Sequence, residues 1–302
     1  MSQQSGGTVG GRSGGSTNDR ESKVRRDERM IIASTSLAPG LAVEGPDARR
    51  YLHSQLSNDI AALPVGASCY SLLLEPVGKL VSLFRVVCVS EETFLIEFDG
   101  PVAADVVQAT QTRLQRFLIR TKATITERTS SVTCVRSTDD GSLPDSLVSA
   151  SSARPAWWCD GTAIDIVGGD AGEFGAAHAV EFVDPDRIEA ERVRVGWPAN
   201  GREIIVGETI PASIGIVRST VSFTKGCYPG QELVERMDSR GSSAPRTLRM
   251  IAGTNVMAGE PIVVNGVEVG MVTSSADGCA LAYVDRGTEY GMPVSEVSRA
   301  NG

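Results

Sequence analysis

The chain has 302 residues, 41% of them apolar, which is enough to bury a hydrophobic core in one large domain or two smaller ones. Its 29 Lys and Arg are outnumbered by 37 Asp and Glu, so the formal net charge is −8, which excludes a chain-wide basic surface for nucleic acid. The sequence holds no apolar run of about 18 residues and no apolar stretch near its N-terminus. We therefore predict neither a transmembrane helix nor a secretory signal.

The cysteines are scattered singly along the chain, and only His53 and His178 are available as imidazole ligands. A zinc site needs clustered Cys and His, so we predict no metal site. Single cysteines without a secretory signal are typical of free thiols in a reducing compartment, and we therefore predict a cytoplasmic protein. The cysteines are Cys69, Cys88, Cys134, Cys159, Cys227 and Cys279.

Residues 1–29 differ in composition from the rest of the chain. They contain six glycines, many serines and only Val9 and Val24 as aliphatic residues. Such a segment cannot bury enough apolar surface to offset the entropy of ordering, so we predict a disordered tail. A mitochondrial presequence is the alternative, but the four acidic residues of the segment argue against it.

After Met30, helical and β patterns are mixed out of strict alternation, which predicts an α+β fold instead of a doubly wound sheet. In chain order, strand patterns cover 41–45, 67–75, 79–90, 93–98, 122–127, 131–137, 163–168 and 219–224. Helical patterns cover 45–63, 100–119, 184–196 and, as a short turn, 233–237. The Ser-, Asp- and Pro-rich stretch 137–160 is predicted to be a loop.

The last part of the chain changes to short β segments, which predicts a small β-barrel. These segments cover 247–253, 260–266 and 267–274, and Asn265-Gly266 between the last two is a strong hairpin signal. The predicted organisation is a tail over 1–29, an α+β region over 30–245 and a β-barrel over 246–302.

Residues 225–232, KGCYPGQE, place a lysine two positions before a cysteine and surround the cysteine with turn residues. On an extended segment Lys225 and Cys227 share one face, and a nearby ammonium lowers the pKa of a thiol and makes it reactive. Gly230 directly after Pro229 indicates a tight turn. We predict a reactive Cys227 with Lys225 as its electrostatic partner. The alternative is a structural turn whose cysteine only packs.

Two polar clusters are candidate ligand contacts. Gln231 and Glu232 carry donors and acceptors that suit a polar heterocycle, although such residues also suit the N-terminus of a helix. Gln55, Asn58 and Asp59 lie near one side of the first predicted helix, where a solvated helix end explains them equally well. The phosphate-binding and dinucleotide-binding glycine fingerprints are absent, so nucleotide-dependent chemistry is not predicted.

Four stretches together resemble the YgfZ family, namely GPDARRYLHSQLSNDI, GKL, ERVRVGWP and KGCYPGQELVERMDSRG. YgfZ proteins are folate-binding relatives of the glycine-cleavage T-protein, an aminomethyltransferase, and are implicated in maturing or repairing iron–sulfur clusters. The resemblance covers essentially the whole chain after the tail. It implies a T-protein-like ring of α+β subdomains around a central channel that admits tetrahydrofolate, closed by the C-terminal β-barrel.

The resemblance also implies roles for individual residues. The signature matches residue by residue at Lys225, Gly226, Cys227, Tyr228, Gly230, Gln231 and Glu232, and its less strict extension matches at Arg236, Arg240 and Gly241. The family cysteine is thought to have a redox or cluster-related role, which we carry to Cys227. Folate contacts are expected from Gln55, Asn58, Asp59, Tyr228, Gly230, Gln231, Glu232 and Arg236, with Glu203 as a further candidate.

Two departures from the T-protein argue against glycine cleavage. Aminomethyltransferases carry a G-G-x-x-D-D stretch with a catalytic aspartate, where this chain has residues 77–82, VGKLVS, without a carboxylate. Their R-L-E-A-G segment has a glutamate that contacts the pterin, and here Arg194 takes that position. A guanidinium cannot accept hydrogen bonds from a pterin.

We therefore predict a folate-binding protein that supports iron–sulfur cluster assembly or repair through Cys227, in contact with client or assembly proteins and without turnover of its own. The first alternative is a tetrahydrofolate-dependent aminomethyl or other one-carbon transferase. The second is a non-catalytic interaction module in which the motif is only a turn.

Overall fold

A computed structural model describes residues 31–100, 102–138, 141–149, 152–157, 162–168, 180–239 and 244–295. Within these ranges the chain forms two β-sheets accompanied by helices. The predicted tail over 1–29, His178 and the pair Arg240-Gly241 lie outside the described residues.

The larger sheet is curled and has eight strands, ordered β2-β3-β4-β1-β5-β7-β6, with β8 pairing parallel to β1. Its strands are β1 (Ile31–Glu44), β2 (Ser68–Leu74), β3 (Leu80–Cys88), β4 (Thr93–Glu97), β5 (Thr124–Ser137), β6 (Ala153–Pro155), β7 (Ala163–Val167) and β8 (Glu181–Phe182). The smaller sheet has five strands in the order β10-β11-β12-β9-β13. They are β9 (Arg246–Ala252), β10 (Pro261–Val264), β11 (Val267–Ala276), β12 (Cys279–Asp285) and β13 (Met292–Pro293).

The helices are short and lie between strands of the larger sheet or before the smaller one. They are α1 (Ala48–Gln55), α2 (Ala104–Gln115), α3 (Asp145–Val148), α4 (Pro185–Arg194), α5 (Val217–Thr220) and α6 (Gln231–Ser239), with a single 3-10 turn at Pro211–Ser213. The predicted α+β class is confirmed. The predicted helices at 100–119 and 184–196 are confirmed with shorter bounds.

The first strand is much longer than the five residues predicted at 41–45. β1 pairs with β5 along its whole length, from Ile31 opposite Ser137 to Glu44 opposite Thr124. The two separate strands predicted at 122–127 and 131–137 are therefore wrong, because β5 is continuous. The polar stretch 128–130 between the two predicted strands pairs with residues 38–40 of β1, so the ladder continues through it.

The first helix is shorter than predicted, since it ends at Gln55 and not at residue 63. Leu56 is already extended and forms a β-bridge with Leu73. Leu56, Ile60 and Leu63 are nevertheless buried in one core cluster. The apolar spacing within 45–63 therefore predicts the burial of these residues correctly but not their helical structure, because an irregular segment can bury the same residues.

Two further predictions of local structure are wrong. The β-branched stretch 219–224 contains no strand, and α5 occupies its first two positions. The predicted loop at 137–160 contains α3 and β6 in its described part. By contrast, the Asn265-Gly266 hairpin is confirmed, with φ of 53° and 80° at the two turn residues and Val264 paired with Val267.

The largest core cluster joins the two sheets. It contains Leu72 and Leu83 from the larger sheet, Trp197 from the segment after α4, and Leu248 and Leu281 from the smaller sheet. All five side chains are nearly or fully buried. Helix α4 contacts both sheets, so it is held firmly over the region where the main cavity opens. No helix of the described ranges is long and apolar enough to cross a membrane.

Candidate functional site

A cavity of about 150 Å³ lies between the larger sheet and α4 with the segment that follows it. An apolar cavity of this volume is wide enough to hold a benzene-sized ring. The lining combines apolar, aromatic and charged side chains, among them Asp99, Arg136, Trp157, Arg192 and Trp197. Such a mixture of apolar wall and a few convergent polar groups is typical of small-molecule sites.

Asp99 lies just after β4 and forms part of the cavity wall, where two neutral donors hold its carboxylate. Tyr70 Oη donates to one carboxylate oxygen at 2.9 Å, and Trp197 Nε1 donates to the other at 3.0 Å. Burial raises the pKa of Asp99 to about 6, although the nearby cations Arg85 and Arg136 oppose this shift. At pH 8 the carboxylate is therefore ionised and can accept hydrogen bonds.

A buried network of charges lies next to Asp99. Arg85 donates to Glu97 at 2.9 Å and to Asp165 at 2.8 Å, and Arg136 donates to the second oxygen of Asp165 at 2.9 Å. The Arg136 guanidinium lies 3.9 Å from the centre of the Trp157 ring. Burial opposes the ionisation of Asp165, but the two guanidinium groups outweigh it and lower the pKa of this carboxyl.

A second buried pair joins α4 to the smaller sheet. The Arg192 guanidinium donates to Glu203 at 3.0 Å and to Ser274 at 2.8 Å, and it also donates to Glu189. Glu203 is fully buried and is not among the residues that line the cavity. Its carboxylate also accepts hydrogen bonds from Thr273 and Ser274 at 2.6 Å. Glu203 thus positions Arg192, and its predicted contact with folate is not supported by this geometry.

The KGCYPGQE loop precedes α6 and packs against the turn between β2 and β3. Gly230 has a φ of 86° and Gly78 a φ of 89°, in the region that favours glycine. A Cβ added to Gly230 would lie 2.7 Å from the Glu75 carbonyl oxygen and 3.0 Å from Gly78 Cα. The two glycines therefore allow two turns to approach more closely than any side chain would permit.

Cys227 is the exposed cysteine among the five in the described part of the chain. Cys88 is buried, and burial raises the pKa of Cys69 and of Cys134 to about 12. The Cys69 and Cys134 thiols are therefore poor nucleophiles, because the thiolate is the reactive form. Cys227 is not among the residues that line the main cavity, so its sulfur is accessible from solvent and not from the cavity wall.

Lys225 reaches the C-terminal end of α1. Its ammonium donates to the backbone carbonyl oxygens of His53, Leu56 and Asn58, the last at 3.2 Å. Burial lowers the pKa of Lys225 to about 8, and Asp59 opposes this shift. These bonds give Lys225 a structural role that needs no contact with Cys227. The electrostatic partnership of Lys225 with Cys227 stays a prediction.

We expect Lys225→Met to lower the free energy of unfolding by about 1–3 kcal/mol, because half-buried carbonyls lose a charged donor. Urea denaturation would measure this loss. Lys79→Met is the matched control, since Lys79 is exposed on the neighbouring turn and should change stability by less than about 0.5 kcal/mol. Equal unfolding midpoints for the two variants would contradict the structural role of Lys225.

Gln231 begins α6 and bonds back to the loop. Its side-chain oxygen accepts the Tyr228 N–H at 3.0 Å, and its own N–H donates to the Tyr228 carbonyl. This reciprocal pair satisfies backbone groups at the start of a helix. Tyr228 itself is buried in the core, whereas Glu232 and Arg236 are exposed on α6. The helix-start interpretation of Gln231 therefore has structural support, and ligand contacts of these residues stay predictions.

The polar cluster after α1 also makes local contacts. The Asn58 side chain donates to the Tyr70 carbonyl at 2.8 Å, and Asp59 accepts the Ala62 N–H at 3.0 Å. Gln55 is buried and accepts a long hydrogen bond of 3.4 Å from Arg113. None of Gln55, Asn58 and Asp59 is among the cavity-lining residues. Their predicted contacts with folate therefore lack support from the cavity.

The chain is similar in sequence to several known proteins. The family described as the GCVT N-terminal domain matches residues 17–136. The chain is 23% identical over 235 residues to the tRNA-modifying protein YgfZ of Vibrio atlanticus, covering 75% of this chain and 71% of that protein. It is 25% identical over 241 residues to a mitochondrial protein of Cryptococcus neoformans, the iron–sulfur cluster assembly factor IBA57 homolog, covering 69% of this chain and 62% of that protein.

The predicted resemblance to YgfZ is confirmed. A solved structure of the glycine cleavage aminomethyltransferase T from Bartonella henselae superposes with a TM-score of 0.68 at 19% identity, covering 85% of this chain and 79% of that protein. The T-protein-like fold is therefore confirmed as well. At this identity, the likeness to aminomethyltransferase T shows a shared fold and does not transfer its activity.

Two positions at which the sequence departs from the T-protein have defined surroundings in this T-protein-like fold. Ser82, in the stretch that replaces the aspartates, is buried and accepts a hydrogen bond of 2.8 Å from the Thr110 hydroxyl of α2. Arg194 pairs with Glu191 at 2.7 Å and is not among the cavity-lining residues. Arg192, two positions earlier on α4, is the arginine of this segment that lines the cavity.

The charged lining of the cavity was not predicted from the sequence. Asp99, Arg136 and Arg192 come from three separate segments, and Asp99 and Arg136 belong to no recognisable motif. Arg192 and Trp197 lie in the ERVRVGWP string of the YgfZ resemblance, which is the one available signal. In the part of the chain that the structure describes, no group of three or more Cys, His, Asp or Glu is arranged to hold a metal ion.

Proposed function

We propose that this protein binds tetrahydrofolate in the main cavity and supports the assembly or repair of iron–sulfur clusters through the Cys227 thiol. The observation that carries the proposal is that the chain has both a ring-sized, mixed apolar and charged cavity and, outside that cavity, Cys227 in a glycine turn, which is the exposed cysteine among the described residues. The relatives named as YgfZ and as cluster assembly factors agree with it.

The residues present fit a folate. The cavity has room for a benzene-sized ring, so it would hold part of the pterin while the rest of the folate lies outside it. Its wall offers an ionised carboxylate at Asp99, guanidinium groups at Arg136 and Arg192, and the indole of Trp157. A pterin needs acceptors for its N–H groups and a donor for its carbonyl, and these side chains supply both. When bound, tetrahydrofolate would supply a site for one-carbon groups.

The role of Cys227 follows from what a single exposed thiolate can do. Iron–sulfur clusters are usually held by four thiolates, so one cysteine needs ligands from elsewhere. Cys227 either provides one ligand of a cluster shared with a partner protein or attacks a disulfide of that partner. In the second case the Cys227 sulfur forms the mixed disulfide, and the partner's other sulfur leaves as a thiolate.

Two other activities are less well supported. A one-carbon transferase would need an acid or base near the folate, and the stretch that holds the aspartates in T-proteins presents here a serine bonded to Thr110. The name of the Vibrio relative points to tRNA modification, whereas a net charge of −8 does not favour direct binding of RNA by this chain.

The decisive experiment replaces Cys227 in cells that lack the native gene. We expect Cys227→Ser to restore iron–sulfur dehydratase activity in extracts no better than an empty vector does, because the exposed thiol is lost while the fold persists. Cys279→Ser is the matched control, since Cys279 is half-buried in the smaller sheet, and it should restore activity like the wild type. Full restoration by Cys227→Ser, with protein levels equal, would refute the thiol role.

A further inference from the structure

Asp99 has acceptor capacity that the protein does not use. Each oxygen of a carboxylate offers about two lone-pair sites. One oxygen accepts only the Tyr70 hydroxyl and the other only the Trp197 indole N–H among the hydrogen bonds of the described residues. One further acceptor site therefore remains on each oxygen. Two parallel acceptors of this kind suit a ligand edge with two adjacent N–H donors.

Of the other acidic residues that line the cavity, Asp165 and Glu189 are balanced by cations, and Asp186 is exposed to solvent. Asp165 lies between two guanidinium groups, and Glu189 pairs with Arg192 and Arg202. Asp99, in contrast, has neutral hydrogen-bond donors and no ion pair with a described residue. Asp99 is thus the cavity carboxylate that is neither paired with a cation nor exposed to solvent, so its charge is available to a ligand.

Arg136 provides a second, independent observation on the same cavity. Its side chain is 3% exposed, and its Nε has no hydrogen-bond partner among the described residues. A buried N–H without an acceptor is costly, so its presence in a cavity wall points to an acceptor supplied by a ligand. The other two nitrogens of the same guanidinium donate to Asp165 and to backbone carbonyls.

We propose that Asp99 and Arg136 together bind the 2-amino-4-oxopyrimidine edge of a bicyclic ligand. The Asp99 carboxylate accepts the exocyclic amino group and the adjacent ring N–H, and Arg136 donates to the neighbouring ring carbonyl. This donor–donor–acceptor edge is shared by pterins and guanine. Assigning it to the pterin of tetrahydrofolate rests on the proposed function, and in this chain Asp99 would supply the acceptor that Arg194 cannot.

Calorimetry at pH 8 with the purified full chain tests this inference, using tetrahydrofolate and guanosine as separate ligands. We expect Asp99→Asn to weaken tetrahydrofolate binding by about 10- to 100-fold, because two charge-assisted hydrogen bonds are lost. Asp105→Asn is the matched control: Asp105 is exposed on α2 and does not line the cavity, so the same charge is removed outside the proposed site. This variant should bind within about twofold of the wild type.

A second test changes the ligand instead of the protein, so its main result does not depend on whether a variant folds. A tetrahydrofolate analogue with a methyl group in place of the 2-amino group should bind the wild type about tenfold or more weakly. In Asp99→Asn this discrimination should largely vanish. Equal binding of the two ligands by the wild type would overturn the inference.

The outcomes separate this inference from the proposed function. Tetrahydrofolate binding that is unchanged in Asp99→Asn overturns the inference and leaves folate binding intact. Guanosine binding that depends on Asp99, without tetrahydrofolate binding, supports the inference and refutes the folate part of the proposed function. Binding of neither ligand to the wild type overturns both.

Discussion

Replacing Asp165 by asparagine should lower the free energy of unfolding by about 3–5 kcal/mol. The Asp165 carboxylate is 2% exposed and lies between Arg85 at 2.8 Å and Arg136 at 2.9 Å. Asparagine keeps the shape but removes the charge, so two buried guanidinium groups lose the anion they share. Breaking a buried ion pair by removing one partner is costly because the remaining charge stays desolvated. Urea denaturation with tryptophan fluorescence would measure the loss.

The matched control is Glu91→Gln, which makes the same chemical change at an exposed pair. Glu91 lies 3.0 Å from Arg49, but its side chain is 76% exposed, so we expect a loss below about 1 kcal/mol. A loss at Asp165 no larger than that of the control would show that the network contributes little to stability.

The difference in stability between the wild type and Asp165→Asn should depend on pH. The two guanidinium groups lower the pKa of Asp165 in the folded state below its usual value of 3.8. A depressed carboxyl pKa stabilises the fold above the unfolded-state pKa, and this contribution is lost as the pH falls through the folded-state pKa. The stability difference between wild type and Asp165→Asn should therefore be constant near neutral pH and shrink below about pH 4.

Replacing Gly230 by alanine should lower the free energy of unfolding by about 2–4 kcal/mol. The new Cβ would meet the Glu75 carbonyl oxygen at 2.7 Å and Leu74 Cβ at 2.9 Å, and the residue would keep a φ of 86°. The clash involves backbone and a strand residue, so it cannot be relieved by rotating a flexible side chain. Both the clash and the strained backbone oppose the native turn.

Gly226→Ala is the control inside the same motif. A Cβ at Gly226 meets no atom within 4 Å, and this residue has no positive φ. We expect its stability to stay within about 0.5 kcal/mol of the wild type. The pair also separates the motif's two roles, since Gly226→Ala should keep cluster-enzyme activity in cells while Gly230→Ala lowers the amount of folded protein. Equal stabilities of the two variants would contradict the close approach of the turns at Gly78 and Gly230.

The local elements that were predicted well are those specified by nearby residues. The turn at Pro229-Gly230 and the Asn265-Gly266 hairpin depend on backbone angles that few residue types adopt, so the local sequence predicts them. Helix α4 begins at Pro185, where a missing N–H costs nothing, and this too is a local signal.

The elements that were predicted badly depend on partners far away in the chain. The polar run 34–36 and Pro39 interrupt the strand pattern in the first ten residues of β1, which form a strand because β5 supplies a matching ladder about a hundred positions later. At the end of α1 the Lys225 ammonium binds the backbone carbonyls, and Leu56 pairs with Leu73 instead of continuing the helix. No pattern within 45–63 contains that information.

The features of the candidate site also divide into those specified by nearby residues and those that depend on distant parts of the chain. The KGCYPGQE string by itself determined a glycine turn carrying a cysteine, since its geometry follows from residues that are adjacent in sequence. Only the tertiary structure decided that Cys227 is exposed and that Asp99, Arg136 and Trp197 meet around one cavity. Burial and charge pairing are properties of segments brought together by folding, and the spacing of residues along one chain does not encode them locally.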